Sequence, residues 1–275
     1  MKPLNYLRQA KAFYAAAFAG ERRSNFPQAG AVDRFLEAAD AAEKFILPKG
    51  GRIFDDELRG LDGAVRLPFA RCLIEYEAVG EGIGRTSPLE TERCSRRIVY
   101  AEQVGNEHLV LQTMLFADSL NAWVHYPLAA MFKASALDSD GAVEFFDVSG
   151  CGLGRQVPKE AAVLDLADEA RAVFEMIEAL SCSNVELMPM PMAKLNKSAA
   201  RRGALPFDEY KTLVVRPTSA TGNSLDSDRR SPREHLRRGH IRRLPNGRKT
   251  WIQACVVAAG AAGKINKNYD LRRVA

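Results

Sequence analysis

Residues 67–79 read LPFARCLIEYEAV, and this stretch decides how the middle of the chain folds. Cys72, Ile74 and Tyr76 recur at every second position, so an extended chain places them on one face of a strand. Toward the C-terminus follow RRIVYAEQV (96–104), HLVLQTMLFA (108–117), NAWVHYPLAAMFKA (121–134) and AVEFFDVSG (142–150). All are rich in β-branched and aromatic residues, and Gly, Asn, Asp and Ser separate them. That spacing predicts an antiparallel meander of about five strands over residues 67–150.

Outside this block the apolar period lengthens to that of a helix. Leu4, Leu7, Phe13, Tyr14, Ala17 and Phe18 predict a helix over 4–19. Phe35, Leu36, Ala39, Ala42 and Phe45 predict a second over 31–46, stopped by Pro48 and Gly50-Gly51. A third fits 164–181, with Leu166, Ala170, Val173, Phe174, Ile177 and Leu180 on one side and charges on the other. NVELMPMPM (184–192) reads as a stiff apolar connector, KLNKSAARRG (194–203) as a short basic helix or loop, and EYKTLVVRP (209–217) as a strand. Residues 218–231 are polar and free of aromatics, as in a loop. The expected class is α+β: N-terminal helices, a central antiparallel sheet with a helix packed on it, and a C-terminal basic hairpin module.

The hairpin is the sharpest local signal. In PREHLRRGHIRRLPNGRKTWIQACVV (232–257), Pro245-Asn246-Gly247 separates two strand-like runs, placing a hairpin over 235–257. Asn-Gly marks a tight turn because both residues tolerate positive φ. Whether this module stands apart or extends the central sheet stays open.

Charge is distributed unevenly. Residues 1–193 hold 20 Lys and Arg against 28 Asp and Glu, whereas residues 194–275 hold 19 against 6. An acidic body of 1–193 carrying a basic module of 194–275, net +13, points to an anionic partner, or to docking of the module on its own body. The candidate contacts are Lys197, Arg201, Arg202, Arg237, Arg238, Arg242, Arg243, Arg248 and Lys249, with Trp251 and Tyr210 as stacking platforms for bases, set against the commoner burial of a lone Trp in a strand. Alternation along a strand cannot direct all these cations to one face. Either both faces are used or some cations pair with acids of the body.

His235 and His240 bracket an Arg-Arg pair. They are the candidate acid and base of a metal-independent ribonuclease, set against a purely structural role. Other chemistry finds little footing. The five cysteines are scattered with no CxxC pair, which argues against a disulfide framework or a zinc site. GEGIG (80–84) lacks the rest of a phosphate loop, and SGCGLG (149–154) reads as a glycine turn after a strand. Glu75 and Glu77, two apart on a strand, form a weak paired-acid candidate. No metal and no cofactor is expected. No run of 18 apolar residues exists, and Arg8 and Lys11 interrupt the N-terminal apolar stretch, so neither a membrane span nor a signal peptide is expected and the location reads as cytoplasmic.

KLNKSAARRGALPFDEYKTLVV, SPREHLRRGHIRRLPNGRKTWIQACVV and GKINKNYDL together resemble the C-terminal region of a group of phage and prophage proteins. RLPFARCLIEYE (66–77) resembles their middle strand. More distantly, the H-x-R-R-G-H core (235–240) resembles an anti-CRISPR family that suppresses production of the type V effector nuclease. Glu234 and Ile241 depart from that pattern, where Pro and an aromatic are expected. The resemblance implies a phage or mobile-element inhibitor or regulator inside a bacterial cell, engaging RNA or a ribosome–nascent chain assembly. The acidic body would then offer a protein-binding surface, for a host protein or a CRISPR effector. A phage structural or assembly protein is the remaining alternative.

Overall fold

A computed structural model describes residues 4–19, 26–54, 66–79, 94–133, 143–204, 206–216, 235–237, 240–252 and 255–257. The alternating stretch around Cys72 becomes β2 (Arg71–Glu77). Its five central residues are all buried, which an antiparallel sheet with one wet face would not produce. Cys72, Ile74 and Tyr76 face one apolar cluster, as their alternation requires, and Leu73 faces another. The sheet is therefore covered on both sides, and the fold is α+β with three layers.

The other elements explain this double cover. α1 (Tyr6–Ala17) and α2 (Ala29–Asp40) pack Leu7, Tyr14, Val32 and Phe35 on one face, against Leu73, Ile98, Tyr100 and Trp123. α3 (Lys159–Leu180) packs Leu166, Val173 and Met176 on the other, against Ile74, Val99 and Leu111. α3 starts earlier than the expected residue 164, because Pro158 serves as its cap and Ala161 and Ala162 are already buried. No helix among the described residues is long and apolar enough to cross a membrane.

The expected all-antiparallel sheet of about five strands is corrected to a mixed sheet of nine among the described residues. β3 (Cys94–Val104), β4 (His108–Ala117), β6 (Leu128–Lys133) and β7 (Val143–Asp147) continue antiparallel from β2, as the meander predicts. The segment 121–134 is two strands, because Tyr126-Pro127 interrupts it. β5 (Ala122–His125) and β6 each pair with a different half of β4. On the other side of β2 lies β1 (Glu43–Ile46), parallel to it.

β1 overturns the expected helix over 31–46, which ends at Asp40. Three consecutive apolar residues, Phe45, Ile46 and Leu47, are all buried. Phe45 joins the cluster under α3, and Ile46 packs instead with Met192 and Tyr210. A strand can serve both faces in this way, and a single helical stripe cannot.

β9 (Tyr210–Val215) pairs parallel with β1, and β8 (Val185–Pro189) closes the edge antiparallel to β9. The expected connector at 184–192 thus begins as a strand. Beyond residue 193 the chain still contributes β9 to the sheet. Between β8 and β9 the basic stretch folds as α4 (Ala193–Arg201), the helical one of its two predicted forms. Residues 80–84 and 218–231 lie outside the described residues, whereas Gly150 and Gly152 form the predicted turn with positive φ.

Candidate functional site

The basic ribbon is built by its turn. Gly247 has φ +77°, its N–H donates to the Leu244 carbonyl at 2.9 Å, and Leu244 N–H donates to the Arg248 carbonyl at 2.8 Å. This closes β11 (His240–Arg243) onto β12 (Lys249–Ile252), with Arg242 opposite Thr250 and Arg243 opposite Lys249. Farther from the turn, β10 (His235–Arg237) pairs with β13 (Cys255–Val257) in the same register. Arg237 belongs to β10, and Arg238 lies outside the described residues.

The ribbon stands outside the nine-stranded sheet and is fastened to the last turn of α3 and the start of β8. Asn184, buried, does most of this. Its Oδ1 accepts from Trp251 N–H at 2.8 Å, and its Nδ2 donates to the carbonyls of Trp251 (2.8 Å) and Arg216 (3.1 Å). Ser183 N–H donates to the Lys249 carbonyl at 2.8 Å. Lys249 Nζ donates to both oxygens of Glu178 at 2.9 Å, and both side chains are largely sealed from water.

These contacts correct two expected binding residues. The charge of Lys249 is neutralised by its own body, so it anchors the ribbon and does not face a partner. The Trp251 ring lies 5.0 Å from Phe54 and is half-buried, so its packing is internal. Tyr210 is buried too, its hydroxyl donating to Glu75 at 2.7 Å, and offers no stacking platform. Arg242, Arg243 and Arg248 remain exposed on the ribbon.

α4 carries the second set of cations. Leu195 turns toward Met192 and Tyr210, and Ala199 is buried. Asn196 clamps the return of the chain, accepting from Phe207 N–H at 2.6 Å and donating to its carbonyl at 3.2 Å. The opposite side presents Lys194, Lys197 and Arg201, with Arg202 at the helix end, all exposed. None of these four is held in an ion pair among the described residues. Lys194 was missed in the sequence, although its three-residue spacing to Lys197 was the available signal.

The two sets are not brought together. The ribbon is fixed where Val185 meets Val215, and α4 follows the end where Pro189 meets Lys211. Four residue steps of strand, about 13 Å, lie between those ends. His235 and His240 lie on different strands, β10 and β11, opposite Val257 and Ile252. The described residues include no group of three His, Cys, Asp or Glu suited to a metal ion.

Several strongly perturbed ionisable groups lie beneath the helices and leave little sign in the local pattern. Glu75 caps α1 from across the fold. Its oxygens accept from Tyr6 N–H (2.9 Å), Leu7 N–H (2.8 Å) and the Tyr210 hydroxyl. α1 has no side-chain cap of its own and no acid in its first turn, so the carboxylate supplies both. Burial pushes the Glu75 carboxyl up to about 7, and the three donors act against that rise. Glu77 is half-exposed near Lys49, so the two acids form no paired site. On the α3 face, Arg97 Nε lies 2.8 Å from Glu169, whose carboxyl burial raises, and the Tyr76 hydroxyl is buried without a partner among the described residues. On the α2 face, His125 is buried against the Phe35 ring with neither nitrogen bonded among the described residues, and burial lowers it to about 4.

These groups have the shifted ionisation that active sites show, but structural networks show it as well. Two clefts, about 470 Å³ beside β7 and about 370 Å³ around Arg66–Ala70, are lined by none of them. The cations of α4, and Arg242, Arg243 and Arg248 of the ribbon, are by contrast exposed to solvent. Comparison with family models, with curated proteins and with solved structures finds no match.

Proposed function

We propose that this protein is a binding protein, a phage or mobile-element inhibitor or regulator that holds RNA, alone or on a translating ribosome, through its basic C-terminal region. The observation that carries the reading is the set of exposed cations on two rigid carriers, Lys194, Lys197, Arg201 and Arg202 on α4 and Arg242 and Arg248 on the ribbon, none in an ion pair among the described residues. Docking on the acidic body accounts for Lys249 and Arg216, which pair with Glu178 and Glu186, and leaves these six. Arginine and lysine held this way suit phosphate oxygens, arginine through its planar fork and lysine as a point charge. The resemblance of stretches within residues 194–271 to phage proteins supports a bacterial setting.

The test is recovery of partners from the bacterial host on tagged full-length protein. RNA or ribosomes should co-purify at about 50 mM salt and leave by about 200 mM, because displaced counterions make such binding steeply salt-dependent. A single salt-resistant protein partner with no RNA would refute the proposal and move the function to the acidic body.

A further inference from the structure

Resting on that reading, we infer that the partner is a single strand of RNA gripped at two separate points, the α4 stripe and the ribbon, and bent around the β8 edge between them. α4 sits at one end of the β8–β9 ladder and the ribbon at the other. They also lie toward opposite faces of the sheet. α4 shares its cluster with Leu4, just before α1, and Tyr210 beside it reaches Glu75 under that helix. The ribbon is tied to the end of α3, on the other face.

The edge between the two grips suits passage of a strand. β8 has no partner on its outer side among the described residues. Its acid, Glu186, is 2.6 Å from Arg216 and so is already paired. Met188 is 48% exposed and offers an apolar contact to a base. Neither of those two clefts is lined by the six cations, and a chain of phosphates can meet both grips.

Geometry sets the size and kind of the strand. The ladder alone takes about 13 Å, and α4 adds about 13 Å more. At about 3.4 Å per stacked nucleotide, the occupant needs about eight nucleotides. Turning from one face to the other within that length excludes a duplex, whose persistence length is about 150 base pairs for DNA. Two linked grips raise affinity by effective concentration without any new contact, so affinity should step up once both are spanned.

The experiment is fluorescence anisotropy on the full chain with labelled oligouridylates of about 3, 6, 12 and 20 nucleotides. The 12-mer should bind at least about tenfold tighter than the 6-mer, and a 12-base-pair duplex more weakly than the 12-mer. K194Q/K197Q/R201Q and R242Q/R248Q change only exposed side chains, and thermal melts confirm that they fold. Each variant should abolish the step between the 6-mer and the 12-mer and weaken 20-mer binding by about tenfold. Affinity that grows only in proportion to length, or persists unchanged in one of the variants, would overturn the two-point grip and leave RNA binding standing. Absence of binding at every length would overturn the RNA-binding reading itself.

Discussion

Replacing Glu75 by Gln and, separately, His125 by Leu should uncover two pH dependences that offset each other in the native protein. Burial raises the Glu75 carboxyl from its ordinary 4.5 to about 7. The folded state then holds a proton that the unfolded state has released. Its contribution is fully present below pH 4.5 and is lost as pH rises through 7, about 3 kcal/mol in all. His125 works in the opposite direction. Burial lowers it from 6.5 to about 4, so its contribution is present above pH 6.5 and is lost as pH falls through 4, also about 3 kcal/mol. Between about pH 4.5 and 6.5 the slopes of these two groups oppose each other. H125L leaves Glu75 alone, so stability should fall by about 3 kcal/mol from pH 4.5 to 7. E75Q leaves His125 alone, so stability should rise by a similar amount from pH 4 to 6.5. E75Q also deprives one of three donors of its acceptor, lowering the whole curve by about 1–3 kcal/mol without changing its slope. Urea titrations at half-unit pH steps, followed by tryptophan fluorescence, measure each curve. Variant profiles that run parallel to the native one would refute the assignment of these two groups.

Two further outcomes probe the ribbon anchor and the backbone. K249M leaves Glu178 with its charge largely sealed and unpaired, a loss of about 3 kcal/mol that should open the ribbon locally. Amide exchange over 249–252 should then accelerate about a hundredfold while β2 stays protected, and unchanged exchange would show the anchor to be unimportant. Gly51 and Gly247 both have positive φ, but a Cβ at Gly51 would lie 2.8 Å from the Ala172 Cβ, and one at Gly247 meets nothing within 4 Å. G247A should therefore cost about 1 kcal/mol and G51A clearly more, as read from denaturation midpoints; equal costs would contradict the packing of Gly51 under α3.

The binding surface was partly legible in the sequence. Lys197, Arg201, Arg202, Arg242 and Arg248 stood out because charge is a property of composition and the hairpin is a property of its turn. Lys249 and Trp251 looked the same as their neighbours, since nothing local distinguishes a cation facing solvent from one facing Glu178, 71 residues away. Glu75 was visible only as half of a weak acid pair, because its donors Tyr6 and Tyr210 are 69 and 135 residues distant.

By itself the sequence determined what depends on neighbours along the chain. Helical periodicity located α1 and the body of α3, two-residue alternation located β2, β3 and β4, and Asn246-Gly247 located the ribbon's turn. Only the tertiary structure decided that 43–46 leaves the helical pattern to become a strand, because Phe45 and Ile46 must feed opposite faces of a sheet. It alone decided that this sheet is mixed and covered on both sides, and that α4 and the ribbon stand at opposite ends of its edge. Strand order, face coverage and the pairing of buried charge are set by residues remote in sequence that share one low-dielectric interior, and local pattern carries no record of that sharing.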